Sequence, residues 1–318
     1  MLCRTANELF WMSRHIERAE NTARMLDVTY RMSLLPYDIV EPGLAWAEPW
    51  AVPLITSGLA TAYYERFPRL SAENVLRFMI LDADNPSSIY CCLRAARESA
   101  RSVRGAITSE MYEDLNAAWL EMRDYDYDTV QQMGVSDFLE WVKMRSHLFR
   151  GVTFGTMLRD EAYHFIRLGT HLERADNTAR ILDVKYHLLL PSTAGVGGAV
   201  DYYQWSALLR SVSGFESYRK IYSDVITPRR VAELLILRDD MPRSLHGCMN
   251  MIHETIEHLS NGHGRELARL SGQLHAQLHY GRTDDIIVFG LHEYLMDFLE
   301  RISVLGDEIS RVFLVPSY

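Results

Sequence analysis

The chain has 318 residues, 48% of them hydrophobic and 24% charged, with a formal net charge of −9. That length can bury a substantial core in one large domain or two ordinary ones, and the composition is globular, not disordered. The acidic balance excludes a general nucleic-acid binder, which needs a basic surface against phosphates, and no run approaches the roughly 18 uninterrupted apolar residues of a membrane span.

Met1 to Phe10 holds no basic segment followed by an apolar run, so no signal peptide is expected, and the cytoplasm is the expected compartment. Cys3, Cys91, Cys92 and Cys248 make no C-x-x-C pair and read as reduced, mostly buried thiols. Helix formers without Pro or Gly predict a first helix from Thr5 to Leu35, stopped by Pro36. A loop punctuated by Pro36, Pro42, Pro49 and Pro53 follows, then a second helix from Leu54 to Arg66. Ser71 is the N-cap candidate of a third helix, which stops near Asp82. Asp84-Asn85-Pro86 reads as a restart, a capping residue with proline at the first helical position, and a long helix is expected from Ser87 to Ile107. Two more are expected around Ser109 to Tyr127 and Ser136 to Arg150. Alternating β-branched runs are scarce, Ile286 to Phe289 being the one short example, so the fold class is all-α.

The second half repeats this plan. From His15 to Tyr30, twelve of sixteen positions are identical to those 156 residues later; only Ile16, Glu20, Met25 and Thr29 differ. Ser57-Gly58 maps to Ser213-Gly214, and Pro86, Ser88 and Cys92 map to Pro242, Ser244 and Cys248 on the same offset. Arg145 maps to Arg301, and no insertion is needed between these anchors. Residues 1–156 and 157–312 therefore read as a tandem duplication. The expected arrangement is one helical bundle with pseudo-twofold symmetry, a single domain over 1–318. Ser192 to Gly198 is the loosest loop of the second half, and Asp240-Met241-Pro242 the matching restart.

The repeated helix carries the candidate site. At 100° per residue, Ile16, Ala19, Ala23, Leu26 and Tyr30 share one side, while Glu17, Asn21 and Arg24 stack along the other. A solvated face with local ion pairs explains the charges, but not why the same set recurs in both halves. Two such helices meeting near a pseudo-twofold would interlock Glu17 with Arg174 and Glu173 with Arg18 as a buried polar network. The candidate cluster is His15, Glu17, Arg18, Asn21, Arg24 and Asp27, with His171, Glu173, Arg174, Asn177, Arg180 and Asp183.

His15-Ile16-Glu17-Arg18-Ala19-Glu20-Asn21, Asn85-Pro86-Ser87-Ser88, Arg94-Ala95-Ala96-Arg97-Glu98 and Met241-Pro242-Arg243-Ser244 together resemble the alpha-E family, bacterial all-helical proteins with a Glu-Arg motif. The likeness covers essentially the whole chain. It implies companionship with a circularly permuted ATP-grasp ligase and a transglutaminase-like protein, in ATP-dependent peptide or amide-bond synthesis. It implies no catalytic residues.

Other constellations carry less. Arg94, Arg97, Arg101 and Arg104 form a stripe that reads either as an anion site or as partners of Glu98 and nearby acidic helices. Glu161-x-x-His164 lacks its counterpart, since position 5 is Thr5, and His275/His279 are placed i, i+4 as metal ligands can be, but twelve histidines in a helical chain produce such spacings often, so no metal is expected. No P-loop or dinucleotide fingerprint is readable, Gly195-Val196-Gly197-Gly198 being a connector, and no cofactor is expected. The leading expectation is a non-catalytic partner that binds or positions substrate, such as a peptide or amino acid, for an ATP-grasp-type ligase. The alternatives are an enzyme in which Arg24 and Arg180 hold a carboxylate while Glu17 or Glu173 acts as base, and a pure scaffold.

Overall fold

A computed structural model describes residues 1–34, 49–188, 199–260 and 264–315. Pro36, Pro42 and the stretch from Ser192 to Gly198, all expected in loops, lie outside the described residues. In chain order the helices are α1 (Cys3–Ser33), α2 (Ala51–Thr56), α3 (Ala60–Tyr64), α4 (Ala72–Leu76), α5 (Ile89–Ser102), α6 (Ser109–Met122), α7 (Tyr127–Met133) and α8 (Val135–Thr156). They continue as α9 (Glu161–Leu188), α10 (Ala199–Ser211), α11 (Phe215–Tyr222), α12 (Pro228–Ala232), α13 (Leu245–Ser260), α14 (Arg265–His279), α15 (Thr283–Phe289) and α16 (Leu291–Ile309). The described residues contain no strand, and Ile286 to Phe289 belongs to α15. None of the described helices is long and apolar enough to cross a membrane.

α1 and α9 run side by side, parallel and in register. The Met1 amino group bonds Glu161 at 2.7 Å at one end, and Arg18 reaches Glu173 at 2.6 Å further along. Gly169 makes the close approach possible, because a Cβ there would stand 2.3 Å from both the Phe10 carbonyl oxygen and Ser13 Oγ. α5 and α8 enclose α1, while α13 and α16 enclose α9. One cluster of buried side chains runs through both halves, from Leu26 and Phe78 to Leu182 and Phe298.

Enclosure leaves α1 no solvated face along Glu17, Glu20 and Asn21. Ile16, Ala19, Ala23 and Leu26 are buried on one side, and Glu17, Glu20 and Asn21 are buried on the other. A helix packed on several sides must find hydrogen-bond partners for its polar residues inside the protein.

Three expected helices differ in detail. The stretch from Leu54 to Arg66 breaks into α2 and α3 because Gly58 takes a φ of +70°, which glycine adopts without a Cβ clash. The restart near Pro86 is capped by Ser88, not by Asn85: Ser88 Oγ accepts from the Cys91 amide at 3.1 Å. Asn85 instead ties the turn, its Oδ1 accepting from the Ser87 amide and its Nδ2 donating to the Phe78 carbonyl. The stretch from Ser109 to Tyr127 splits into α6 and α7, the latter capped by Asp126 accepting from the Thr129 amide at 2.8 Å. Wide π-helical turns follow α4 at Arg77–Leu81 and α12 at Glu233–Leu237, 156 residues apart.

Candidate functional site

The two Glu-Arg pairs cross over between α1 and α9. Arg174 grips Glu17 as a two-pronged fork, Nε to Oε1 and Nη2 to Oε2, each at 2.9 Å. Arg18 grips Glu173 in the same way, at 2.6 and 3.1 Å. Bidentate charge-assisted contacts of this kind fix orientation as well as adding energy.

Their surroundings differ. Glu17 is 1% exposed and receives two further arginines, Arg243 at 2.9 Å and Arg150 at 3.1 Å. Glu20, with no exposure, accepts from Arg243 at 2.6 Å, Arg24 at 2.8 Å and Ser146 Oγ at 2.6 Å, and also from Arg150. Arg243 Nη1 donates to Asn21 Oδ1 at 2.9 Å as well, so one guanidinium spans Glu17, Glu20 and Asn21. Around Glu17 and Glu20 the space is filled by protein.

On the Glu173 side the second arginine is Arg14, at 2.8 Å from α1. There the pair borders a cavity of about 630 Å³ whose walls include Arg14, Arg18, Glu173, Asp176, Asn177 and Arg180. Ser87 and Gly306 also face it. On the 156-residue offset, Ser87 stands where Arg243 stands in the other half, and Gly306 where Arg150 stands.

The remaining candidates are dispersed. Arg180 pairs with Asp176 at 2.8 Å on the cavity wall. Asp27 accepts from Arg31, Ser136 and Lys143, and Asp183 meets His292 at 2.6 Å; both lie further along their helices. The arginine stripe does not converge. Arg97 and Arg101 pair with Glu98, Arg94 reaches the Ala83 carbonyl at 3.4 Å, and Arg104 covers the Tyr112 ring at 4.2 Å. Reasoning from spacing missed Arg14, Ser146, Arg150 and Arg243. For Arg243 a signal existed: setting Met241-Pro242-Arg243-Ser244 against Asn85-Pro86-Ser87-Ser88 exposes an arginine opposite a serine.

The Alpha-E family model, described as a predicted alpha-helical domain with a conserved ER motif, matches residues 1–314. The chain belongs to the Alpha-E family. Two uncharacterized proteins, one of Mycobacterium bovis and one of Mycobacterium tuberculosis, are each 26% identical to this Alpha-E chain over 188 residues. The match takes in 54% of the chain but 21% of each relative, so the chain spans about a fifth of the length of these curated relatives. No solved structure matches it significantly.

Electrostatics separates the groups of this Alpha-E site. Burial pushes the Glu17 carboxyl up, but Arg174 and Arg243 outweigh it and bring its pKa down to about 2. Burial likewise acts against Glu173, and Arg18 with Arg14 still holds it below the usual carboxylate range. Both motif histidines stay neutral. Burial and then Arg18 lower His15 to about 4, with Arg14 assisting and Glu173 opposing. Burial, Arg174 and Arg167 hold His171 well below its ordinary value, with Glu17 opposing. The unfolded chain therefore takes up protons near pH 6.5 that the folded Alpha-E chain refuses. Stability from the neutral imidazoles is complete above that pH and declines as pH falls toward 4, whereas the carboxylate contribution declines only below about pH 4.3. Roughly 2 kcal/mol from His15 is expected to disappear between pH 7 and pH 5, and His171 acts in the same direction. Melting curves across that range check this, and His15→Gln should flatten them; a melting temperature independent of pH would sink the idea.

Proposed function

We propose that the protein is a non-catalytic helical partner that holds substrate for an ATP-grasp-type peptide or amide ligase, in a system that includes a transglutaminase-like protein. The substrate's cationic end would occupy the cavity beside Glu173. The two halves, 1–156 and 157–312, are taken as a tandem duplication packed about a pseudo-twofold axis within one domain. The parallel, in-register α1 and α9 support that relation. So does the contact of Gly169 with Ser13, its own counterpart on the offset.

What carries the reading is that one copy of the site is filled and the other is open. In the filled copy, the Arg243 guanidinium lies among Glu17, Glu20 and Asn21. In the open copy, Glu173, Asp176 and Asn177 line the cavity, and Ser87 and Gly306 leave the space that Arg243 and Arg150 take elsewhere. A guanidinium or primary ammonium from a ligand fits there by the hydrogen bonds that Arg243 uses. Arg14, Arg18 and Arg180 supply donors for a carboxylate on the same ligand. An amino acid or short peptide with a cationic group has both charges.

The wall chemistry favours holding over turnover. A general base working near neutrality needs a pKa near the working pH, and Glu173 is held below the ordinary carboxylate range by its arginines. The nearby Cys92 thiol is pushed up to about 12 by burial, which removes a thiolate nucleophile. These features count against the acid–base alternative, and the cavity at the Arg18–Glu173 pair counts against a sealed scaffold. The mycobacterial relatives, in which the matched segment is 21% of a longer chain, support a unit that works beside others.

Ser87→Arg tests this directly by supplying the missing cation from the chain itself. In co-expression with the circularly permuted ATP-grasp ligase, the variant should co-purify as wild type does, while stimulation of substrate-dependent ATP consumption falls at least tenfold. Full stimulation by Ser87→Arg would overturn the cavity reading. Failure of the wild-type chain to co-purify would overturn the partner reading.

A further inference from the structure

α13 and α14 face one another across a row of imidazoles, His246 and His253 from α13 and His275 and His279 from α14. Ring centroids lie 5.9 Å apart for His246 and His275, 5.4 Å for His246 and His279, and 5.7 Å for His275 and His279. His253 stacks on His275 at 4.8 Å. One ligand atom from each of His246, His275 and His279 lies within 4.8 Å of the others. None of the three borders the cavity at Glu173.

His246 decides what the group can do. It is 5% exposed, its Nδ1 lies 2.8 Å from the Leu237 carbonyl, and its Nε2 is buried without a hydrogen-bond partner. A carbonyl accepts only, so Nδ1 carries the proton and Nε2 keeps a bare lone pair. An imidazole whose second nitrogen donates to a backbone carbonyl is the arrangement that orients histidine ligands on metal ions. An unpaired buried acceptor is otherwise unfavourable, and an ion would satisfy it. His275 is oriented in turn by Asn250, whose Oδ1 lies 2.8 Å from its Nε2.

We propose that His246, His275 and His279 bind a divalent transition-metal ion of borderline softness, such as zinc or cobalt, through three neutral imidazoles. The ligand set contains no carboxylate, which excludes the hard ions magnesium and calcium. Zinc–imidazole bonds are about 2.0–2.1 Å, so nitrogens around the ion stand roughly 3.3 Å apart. The rings must draw together by about 1.5 Å, and His279, exposed at the end of α14, has the freedom to do so. Three protein ligands leave a fourth position for water or another ligand. The i, i+4 spacing of His275 and His279 is visible in sequence, but the third ring arrives from another helix.

The test uses the full chain without a histidine tag, stripped with chelator and titrated with Co²⁺, read by visible absorption and calorimetry. One equivalent should bind, with the absorption bands of four-coordinate cobalt. His279→Ala should weaken binding at least tenfold while circular dichroism shows the helices intact. His258→Ala, an exposed histidine elsewhere on α13, should bind as wild type does. No cobalt uptake by the wild-type chain at about 1 mM free cobalt, roughly 100-fold above a Kd of about 10 μM, would overturn the assignment. So would wild-type affinity in His279→Ala, or an equal loss in His258→Ala.

Discussion

Glu17→Ala is expected to remove roughly 3–5 kcal/mol of folding stability, enough to unfold a large share of the chain when the whole margin is about 5–15 kcal/mol. The reason lies in what the substitution leaves behind. Arg174 and Arg243, with side chains 9% and 8% exposed, would remain charged inside the protein with their shared carboxylate gone. Arg150 would lose one of its two acidic partners as well. Glu173→Ala removes the matching residue, but Arg14 and Arg18 are 19% and 25% exposed and border a cavity, where water can replace the carboxylate. The expected loss there is about 1–2 kcal/mol. Urea denaturation of both variants measures the difference. Equal losses would mean that the two pairs share one environment and that the filled-versus-open distinction is wrong.

Gly169→Ala is expected to lose about 1–3 kcal/mol, even though alanine is the better helix former by about 1 kcal/mol. The new methyl would stand 2.3 Å from the Phe10 carbonyl oxygen, which is helical backbone and cannot rotate away. α1 and α9 would have to separate, and the crossed Glu-Arg forks begin within a turn or so of this contact. The control is the same substitution elsewhere. Gly151 and Gly155 of α8 have nothing within 4 Å of an added Cβ, so alanine there should stabilise by roughly 0.5–1 kcal/mol. Opposite signs for one chemical change would isolate the steric cause. A Gly169→Ala variant as stable as the α8 variants would show that the two helices have room to part.

Much of the fold is legible in the sequence, because helix formation is largely a local matter. The first helix, the cap at Ser71 and the 156-residue offset follow from propensity, capping and identity at fixed spacing. The break at Gly58 escapes because a single glycine inside a helical pattern signals tolerance as often as a turn. Burial of Glu20 escapes for a different reason. A helical wheel says which residues share a face, but not whether another helix covers that face. The candidate site is half legible on the same grounds. Glu17, Arg18, Glu173 and Arg174 are marked by repetition. Arg150 and Arg243 are unrepeated, and they distinguish the two Glu-Arg pairs because the residues 156 positions away are glycine and serine. Likewise, His246 joins His275 and His279 only through the packing of α13 on α14.

The bonds that satisfy α1 have a bearing on how the molecule assembles. Glu17 is separated by 157 residues from Arg174 and by 226 from Arg243. Contacts so distant along the chain form late and slow folding, since a long loop must close before they return any energy. During synthesis α1 emerges before its partners, with carboxylates it has no means of burying until the chain has been made as far as Arg243. Its first half cannot settle as a finished unit and wait for the second. α1, enclosed in the native protein by α5, α8 and α9, is therefore made before its partners and locked in place late.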